Sequence, residues 1–483
     1  MVGNIIGQID KIARGVIETT PIAGMGTGDA VEIGESHIPG EILQNNQYQA
    51  IIFPFGEIEG LRPGANIFKS SGGISHYIKL GPGFIGTSHK DNYPDIDKSA
   101  KWHFKPVVYL DSKVSEGSIW GIVFEKNHFE HRLNVPSGIG GKIRAIAKEG
   151  EYHFEDCLAT IETTSCDIPL YMSHVWSINE IRPFKSHSAN QKIFVTGNPY
   201  IDIFFPIKRG GVGIITGNAE SGKTTLGFNI AKSAKTDIIV YLASFNRDNE
   251  IAYIKEQILN CFTTPTIFLC NENNGFMGYK NKSISYGITI CEYFRNMGYN
   301  VLFLIDSIDH FSKEIDMINH YKTLSVGEDA LPMVINNPLN DIIYRSGMVN
   351  IINGSCGSLT TIVCGSSDNN DFNSSCRWHL VEKQTPYAPH SRISINESFS
   401  DFILPQQCQD FDTLQSINPI KEALKILYET EKIFKVSNKK NLSKIQQYRV
   451  EIAQILKETL DDLKGSSLKK QLLGLKTIIY ESN

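Results

Sequence analysis

The arrangement of apolar and polar residues changes along the chain. In residues 1–69, short apolar or alternating runs such as 31–33 and 48–55 are separated by glycine-rich turns. That spacing predicts a small N-terminal β-barrel. Residues 70–193 keep the strand and turn character, and we interpret them as further β-rich scaffold.

Downstream, strand-like apolar runs alternate with helical patterns, which predicts an α/β domain with a mostly parallel sheet over residues 194–400. The predicted buried strands are 212–216, 236–243, 266–270 and 301–306. Helices are predicted over 226–232 and 285–297, with Gly298 at the C-cap position of the second helix.

Residues 401–483 contain two amphipathic patterns, 417–433 and 442–464. They predict a short C-terminal helical domain. Their apolar stripes fit the interior of a small helical bundle better than a groove for a partner.

Composition limits the classes of protein. The 483 residues are too many for one core and predict roughly three or four domains. A net charge of −5 argues against a surface that coats nucleic acid, so no nucleic-acid partner is expected. No apolar run approaches the ~18 residues that a membrane-spanning helix needs, and residues 1–10 do not form a signal sequence. We therefore expect a cytoplasmic protein without direct membrane contact.

Cysteine and histidine spacing gives no support for a metal site of the zinc type. The nine cysteines contain no Cys-x-x-Cys pair, which favours reduced thiols. His103, His128, His131 and His174 match no usual ligand spacing, so we expect structural or surface roles for them.

One stretch carries specific chemistry. Residues 217–225 fit the phosphate-loop pattern of glycine, any four residues and Gly-Lys-Ser/Thr, between a predicted strand and a predicted helix. Such a turn aims backbone N–H groups and the positive end of a helix dipole at a polyphosphate. We predict that Lys223 reaches the β- and γ-phosphates and that Thr224 holds Mg²⁺. The predicted nucleotide-binding residues of this loop are Gly217, Asn218, Ala219, Glu220, Ser221, Gly222, Lys223, Thr224 and Thr225. A chance glycine turn with an exposed lysine is the alternative, and the two flanking elements disfavour it.

Asp306 is a candidate ligand for the metal. It ends the predicted strand 301–306, which is the form that a Mg²⁺-organising Walker B aspartate takes. The pattern is weak alone, because apolar strands often end in aspartate, and the phosphate loop upstream strengthens it.

Segments beyond the phosphate loop carry a family resemblance. Residues 198–207 (Asn-Pro-Tyr-Ile-Asp-Ile-Phe-Phe-Pro-Ile) and the Arg-Gly-Gly that follows resemble the entry to the nucleotide domain of rotary ATPases. Other matching segments are 60–64, 80–84, 101–106, 149–156 and 286–300. In order along the chain, they resemble the A subunit, the catalytic-type subunit of V-type and archaeal A-type ATPases.

The resemblance implies an architecture and a set of partners. It implies an N-terminal β-barrel (1–69), a β-rich bulge or connecting region (70–193), a RecA-like nucleotide-binding domain (194–400) and a C-terminal helical domain (401–483). The ligands would be ATP or ADP with Mg²⁺. B-type subunits would alternate with this chain in a hexameric ring and supply an arginine finger. Central-shaft and peripheral-stalk subunits would be further partners, and the membrane sector would be reached only indirectly.

The resemblance also assigns roles to single residues. Lys223 and Arg247 would be catalytic. Thr224 and Asp306 would hold Mg²⁺, partly through water, and Tyr387 would lie against adenine.

The sequence departs from the family at the catalytic base. The family has Gly-Glu-Arg-Gly-Asn-Glu, whose first glutamate polarises the attacking water, and this chain has Phe-Asn-Arg-Asp-Asn-Glu at 245–250. The amide of Asn246 can hydrogen-bond a water molecule but cannot accept its proton. Losing a general base costs ~10²–10⁴ in rate, so we expect nucleotide binding with slow or absent turnover. Asp248 is a weaker candidate for a substitute base, because a shift of two residues moves a carboxylate by several ångströms.

Other departures agree with weakened catalysis. Glu220 brings a negative charge into the phosphate loop, although its side chain can point outward, and His310 stands where the family has arginine. Residues 366–372 lack two prolines and two glycines of a rigid family turn. The C-terminal part is short for the family, and its acidic shaft-contacting loop is not found, which puts torque transmission in doubt.

Three functions remain open. The favoured one is a degenerate A-type subunit that binds nucleotide without hydrolysing it at its own site. The second is a fully active A-type chain. The third, a stand-alone hexameric motor of the transcription-terminator or export-ATPase type, ranks last because it would need a basic RNA-binding surface or lack the bulge.

Overall fold

A computed structural model describes most of the chain up to residue 402. The described residues are 5–13, 16–26, 29–54, 58–69, 77–85, 88–90, 100–125, 129–136, 138–163, 166–188, 192–198, 201–202, 205–218, 221–243, 252, 254–258, 262–270, 277–308, 338–365, 376–380 and 401–402. The predicted helices 417–433 and 442–464 lie outside these residues, so the C-terminal helical domain stays a prediction.

The N-terminal part is a seven-stranded antiparallel sheet in the order β1-β7-β4-β5-β6-β3-β2. Its strands are β1 Ile5–Gln8, β2 Lys11–Ala13, β3 Val16–Thr19, β4 Ala30–Ile33, β5 Ile38–Asn45, β6 Ala50–Pro54 and β7 Asn66–Lys69. The Thr19 hydroxyl donates to the Gln8 carbonyl at 2.6 Å, which links β3 to β1 at the opposite edge. Inward-facing aliphatic residues of alternate positions, such as Ile17, Val31 and Ile52, fill the interior. This is the barrel that the glycine-punctuated strand pattern predicts.

The next part forms a two-sheet sandwich, called here the sandwich domain. Its strands are β10 Lys101–Pro106, β11 Lys113–Val114, β12 Ile119–Phe124, β13 Glu130–Asn134, β14 Gly141–Ile146, β15 Gly150–His153, β16 Ala159–Glu162 and β17 Asp167–Leu170. One sheet has the order β13-β12-β10-β15 and the other β11-β14-β16-β17. Phe104, Trp120 and Ile143 belong to their shared core. Gly121 is required there, because a Cβ at this position would lie 2.3 Å from the Phe104 ring.

Short strands flank the sandwich domain: β8 Tyr77–Leu80, β9 Ser88–Lys90, β18 His174–Ser177, β19 Ser186–His187 and β20 Ile193–Phe194. The C-terminal half of the described chain contains β21 Ile207–Lys208, β22 Val212–Gly217, α1 Lys223–Ser233, β23 Ile238–Ala243, β24 Thr266–Cys270, α2 Met277–Arg295, β25 Asn300–Asp306, α3 Pro338–Arg345, β26 Gly347–Asn350, β27 Cys356–Gly365, β28 Cys376–Leu380 and β29 Asp401–Phe402.

A ten-stranded sheet, called here the large sheet, dominates this half. Its main path is β29-β28-β22-β27-β25-β23-β24-β9, and β26 and β19 continue from β27. The strands from β28 to β9 along this path pair in parallel, as the alternation of strands and helices predicts. Helices cover the sheet, so its central strands are buried on both faces and their sequences are continuous apolar runs.

Helix α2 differs from its prediction at the N-terminal end. It begins at Met277, where the amphipathic pattern predicts a start near residue 285. Gly298 follows its last turn with a φ of +94°, and its N–H donates to the Arg295 carbonyl at 2.9 Å. That left-handed conformation is the one expected of a glycine that terminates a helix.

Parts of residues 70–193 join the large sheet. Strand β9 extends its edge beside β24, and β19 pairs with β26. Ile78, Leu80 and Phe84 lie in the same core as the sheet and α2. The domain boundary at 193/194 stays a prediction, and the packing shows that segments on its N-terminal side complete the core of the nucleotide-binding part.

Polar side chains connect the sandwich domain to α2. His131 is fully buried and hydrogen-bonds Glu125 and the Tyr293 hydroxyl, each at 2.6 Å. His174 accepts from Arg182 at 3.0 Å. The structure thus gives these two histidines structural roles, and no metal-type cluster occurs among the described residues. His103 is partly exposed between Glu149 and Glu151, and His128 lies outside the described residues.

Candidate nucleotide-binding site

The candidate site lies at the edge of the large sheet where the parallel strands end, called here the carboxyl edge. Strand β22 ends at Gly217, and the neighbouring strands end at Ala243, Asp306 and Gly365. Thr216 is in register with Gly365, and Ala243 with Asp306. Open α/β sheets bind ligands outside this edge, because the loops that leave the strands converge there.

The phosphate loop leads from β22 into α1. Gly222 caps the helix with a φ of +90°, a left-handed conformation that favours glycine. The helix begins at Lys223, and the Leu226 N–H donates to the Gly222 carbonyl at 2.9 Å. The helix therefore starts inside the loop, so the positive end of its dipole lies where the motif predicts the phosphates.

Lys223 lies over the loop. Its Nζ donates to the carbonyl oxygens of Gly217 and Asn218, both at 2.8 Å. These contacts hold the ammonium group at the rim of the turn, where an anion approaching the start of α1 would meet it.

Thr224 and Asp306 are brought together although they are 82 residues apart in sequence. The Thr224 hydroxyl donates to Asp306 Oδ1 at 2.8 Å, and Asp306 is 1% exposed. A threonine hydroxyl beside a carboxylate is the oxygen donor set that suits Mg²⁺ bound with phosphates and water. The structure thus places the two predicted metal residues in direct contact.

Tyr241 is a residue of this site that the sequence analysis missed. Its hydroxyl donates to the second oxygen of the Asp306 carboxylate, Oδ2, at 2.9 Å. Burial, followed by the negative charge of Asp306, raises the pKa of Tyr241 well above its usual value, so the phenol stays protonated as a donor. One signal could have found it: a tyrosine inside a buried aliphatic strand needs a partner for its hydroxyl.

The helix α1 lies close to the sheet behind the loop. A Cβ at Gly227 would lie 3.3 Å from both Cys364 Sγ and a Leu304 methyl carbon. Cys364 Sγ is 3.7 Å from the carbonyl oxygen of Lys223. A small residue at position 227 therefore lets the start of α1 sit directly on β25 and β27.

The residues present fit a nucleotide phosphate with Mg²⁺. The Ser221 hydroxyl is buried and has no hydrogen-bond partner among the described residues, so a donor in the loop is left for an anionic ligand. Thr225 lies in the first turn of α1. Ala219, Glu220, Asn246, Arg247 and Tyr387 lie outside the described residues, so their predicted roles stay predictions.

The fold and the site together define a P-loop nucleotide-binding protein whose nucleotide domain is a RecA-like α/β sheet. Two family models match the chain. Residues 197–383 match the ATP synthase alpha/beta family, nucleotide-binding domain, and residues 93–179 match the ATPsynthase alpha/beta subunit barrel-sandwich domain. The chain belongs to the ATP synthase alpha/beta family, in the branch of the catalytic-type alpha chains of V-type and A-type ATP synthases.

Relatives of that branch match over most of the chain. The V-type ATP synthase alpha chain 2 of Clostridium tetani (strain Massachusetts / E88) is 27% identical, over 95% of this chain and 84% of the relative. The corresponding catalytic-type chain of the A-type ATP synthase of Methanopyrus kandleri is 29% identical, over 77% of this chain and 68% of the relative.

A solved structure is similar in fold. The assembled ATPase EscN of the type III secretion system of enteropathogenic E. coli superposes with a TM-score of 0.65, at 15% identity, over 98% of this chain and 100% of that chain. At this identity the likeness concerns the fold alone. In the part of the chain that the structure describes, none of the helices has the length and apolar character needed to cross a bilayer.

Proposed function

We propose that this chain is an A-type subunit of an ion-translocating rotary ATPase that binds Mg-ATP or Mg-ADP but hydrolyses ATP slowly or not at all at its own site. The observation that carries the proposal is the combination of an assembled phosphate loop, with Thr224 on Asp306, and an amide at position 246. The first part supports binding, and the second part argues against fast cleavage.

Each part of the phosphate loop has a role in binding. Lys223 supplies a positive charge at the rim of the turn, and the Ser221 hydroxyl is a buried donor. Thr224 and Asp306 would hold Mg²⁺, which when bound neutralises charge on the phosphate oxygens. None of these groups depends on a carboxylate at position 246, so binding is expected to be independent of the missing base.

The loop that carries Asn246 starts beside Asp306. Strand β23 ends at Ala243, which is in register with Asp306, and Asn246 follows three residues later. Three residues span at most about 11 Å, so Asn246 lies close to the carboxyl edge whatever the path of the loop. An amide there can orient water but cannot take its proton, which is the reason for the expected slow turnover.

The assembly follows from the family. Relatives with this sequence pattern are named as ATP synthase subunits. We propose B-type subunits as neighbours in a hexameric ring, with an arginine finger supplied from their side. Central-shaft and peripheral-stalk subunits would complete the complex, which would keep the chain on the cytoplasmic side and attach it to a membrane only through other subunits.

Single-turnover cleavage tests the proposal. The chain, assembled with its B-type partner, is mixed with ATP and Mg²⁺ and compared with the Asn246→Glu variant. If the base is the missing element, Asn246→Glu should raise the cleavage rate by roughly 10²–10⁴ while nucleotide affinity stays the same. Equal, fast cleavage by both proteins would show a fully active chain instead.

Two further variants separate the alternatives. Lys223→Ala should remove most of the affinity for ATP, which shows that the phosphate loop is the site being measured. Asp248→Asn should leave the wild-type rate unchanged. If it abolished a fast wild-type rate, Asp248 would be a substitute base and the proposal of slow turnover would be wrong.

A further inference from the structure

The Asp306 carboxylate is held at both oxygens by hydroxyl groups from two different elements. Thr224 of α1 donates to Oδ1 at 2.8 Å, and Tyr241 of β23 donates to Oδ2 at 2.9 Å. The proposed function uses the first contact, because Thr224 and Asp306 are the candidate metal residues. The second contact has no role in it so far.

The Tyr241 ring is held rigidly. It is fully buried, and it stacks on Phe268 with the ring centres 5.9 Å apart and the planes 29° apart. Phe268 is its register partner on β24, and Leu304 is its register partner on β25. Asp306 lies two residues beyond Leu304, about 6.7 Å along the strand, so the phenol leans toward the carboxyl edge to reach it.

Such a contact determines how the carboxylate is oriented. The terminal torsion of an aspartate side chain is broad and roughly two-fold, so one hydrogen bond leaves it free to rotate. A second donor, fixed by packing against Phe268, restricts that rotation and keeps Oδ1 on the side of Thr224. Groups that orient metal ligands in this way commonly change metal affinity without touching the metal.

We propose that Tyr241 is a positioning residue for Mg²⁺: its hydroxyl fixes the Asp306 carboxylate in the orientation in which Thr224 and Asp306 face the metal together. This inference rests on the proposed function, since it concerns the same site. Tyr241 acts through Asp306 and makes no contact with nucleotide.

The test measures how much Mg²⁺ strengthens nucleotide binding. ATP affinity of the full chain is measured by calorimetry with excess Mg²⁺ and again with EDTA, and the ratio of the two affinities is the readout. Tyr241→Phe keeps the ring and its stacking on Phe268 but removes the hydroxyl. It should lower the ratio roughly 10- to 100-fold and leave the affinity in EDTA unchanged.

Tyr293→Phe is the matched control. It also deletes a buried tyrosine hydroxyl with a partner at 2.6 Å, but that partner is His131 at the contact with the sandwich domain. A general loss of stability affects both variants, whereas the loss of the Mg²⁺ effect is expected only in Tyr241→Phe.

The outcomes distinguish this inference from the proposed function. If the wild-type chain binds ATP more tightly with Mg²⁺ and Tyr241→Phe keeps the full ratio, the positioning role is wrong and the proposed function stands. The same holds if Tyr241→Phe weakens binding equally with and without Mg²⁺. If the wild-type chain shows no binding of Mg-ATP, both ideas fail. Should Tyr241→Phe not fold, Phe268→Leu removes the support of the phenol and must lower the same ratio.

Discussion

Replacing Glu292 with glutamine should strongly destabilise the nucleotide-binding part of the chain. Glu292 Oε2 accepts from Arg345 Nη2 at 2.6 Å and from the Arg182 backbone N–H at 3.2 Å. Arg295 Nη2 lies 3.6 Å from the other oxygen. The Glu292 side chain is 0% exposed and those of Arg295 and Arg345 are 1% exposed. One buried carboxylate therefore balances two buried guanidinium groups.

The size of the effect follows from burial. Glutamine keeps the shape and one acceptor but removes the charge, and breaking a buried pair from one side costs about 3–5 kcal/mol. That is a large part of a typical unfolding free energy of ~5–15 kcal/mol. The pair of Arg144 and Asp167 has the same 2.6 Å separation, but its side chains are 61% and 41% exposed. Asp167→Asn should therefore cost only ~0–1 kcal/mol.

Urea unfolding followed by circular dichroism compares the two variants, and hydrogen exchange locates the loss. Glu292→Gln should lower the unfolding midpoint far more than Asp167→Asn, with faster exchange in α2 and α3. Similar midpoints for the two variants would refute the argument, because burial, and not distance, is the quantity that separates them.

Two further predictions concern packing and pH. Gly287→Ala should lower the thermal unfolding temperature, because the new Cβ would lie 2.6 Å from the Phe303 ring, and overpacking at ~1–3 kcal/mol exceeds the ~1 kcal/mol gained in helix propensity. An unchanged or higher unfolding temperature would mean that the helix shifts away at no cost. Burial, and then the charges of Arg182 and His131, lower the pKa of His174 well below its usual value, so the unfolded chain takes up a proton that the folded chain does not. The stability associated with neutral His174 is present above pH ~6.5 and falls as pH decreases from there toward the folded pKa, by at most ~1.4 kcal/mol per pH unit, and His174→Gln should reduce that slope in urea unfolding at pH 5.5–7.5.

Much of the architecture could be predicted because its signals are local. The strand predicted at 266–270 coincides with β24, and the strand predicted at 301–306 differs from β25 by one residue. Parallel strands buried on both faces must be continuously apolar, so their limits are visible in the sequence. The start of α2 was missed, because its first residues, Met-Gly-Tyr-Lys-Asn-Lys, show no amphipathic pattern and carry glycine and asparagine, which are weak helix formers.

The candidate site divides in the same way. Asn246 and Tyr387 were assigned by their place in a motif, and their roles stay predictions. Tyr241 was missed because its partner is 65 residues away, on a neighbouring strand. No pattern within β23 shows which of its side chains faces a carboxylate.

By itself, the sequence determined the phosphate loop, the alternation of strands and helices, and the amide at position 246, because each is a property of neighbouring residues. Tertiary structure alone decided that Thr224, Tyr241 and Asp306 meet, that β9 and β19 extend the large sheet, and that Glu292 balances buried arginines. The physical reason is that backbone conformation and burial follow local periodicity, whereas contacts between distant side chains depend on strand order and register.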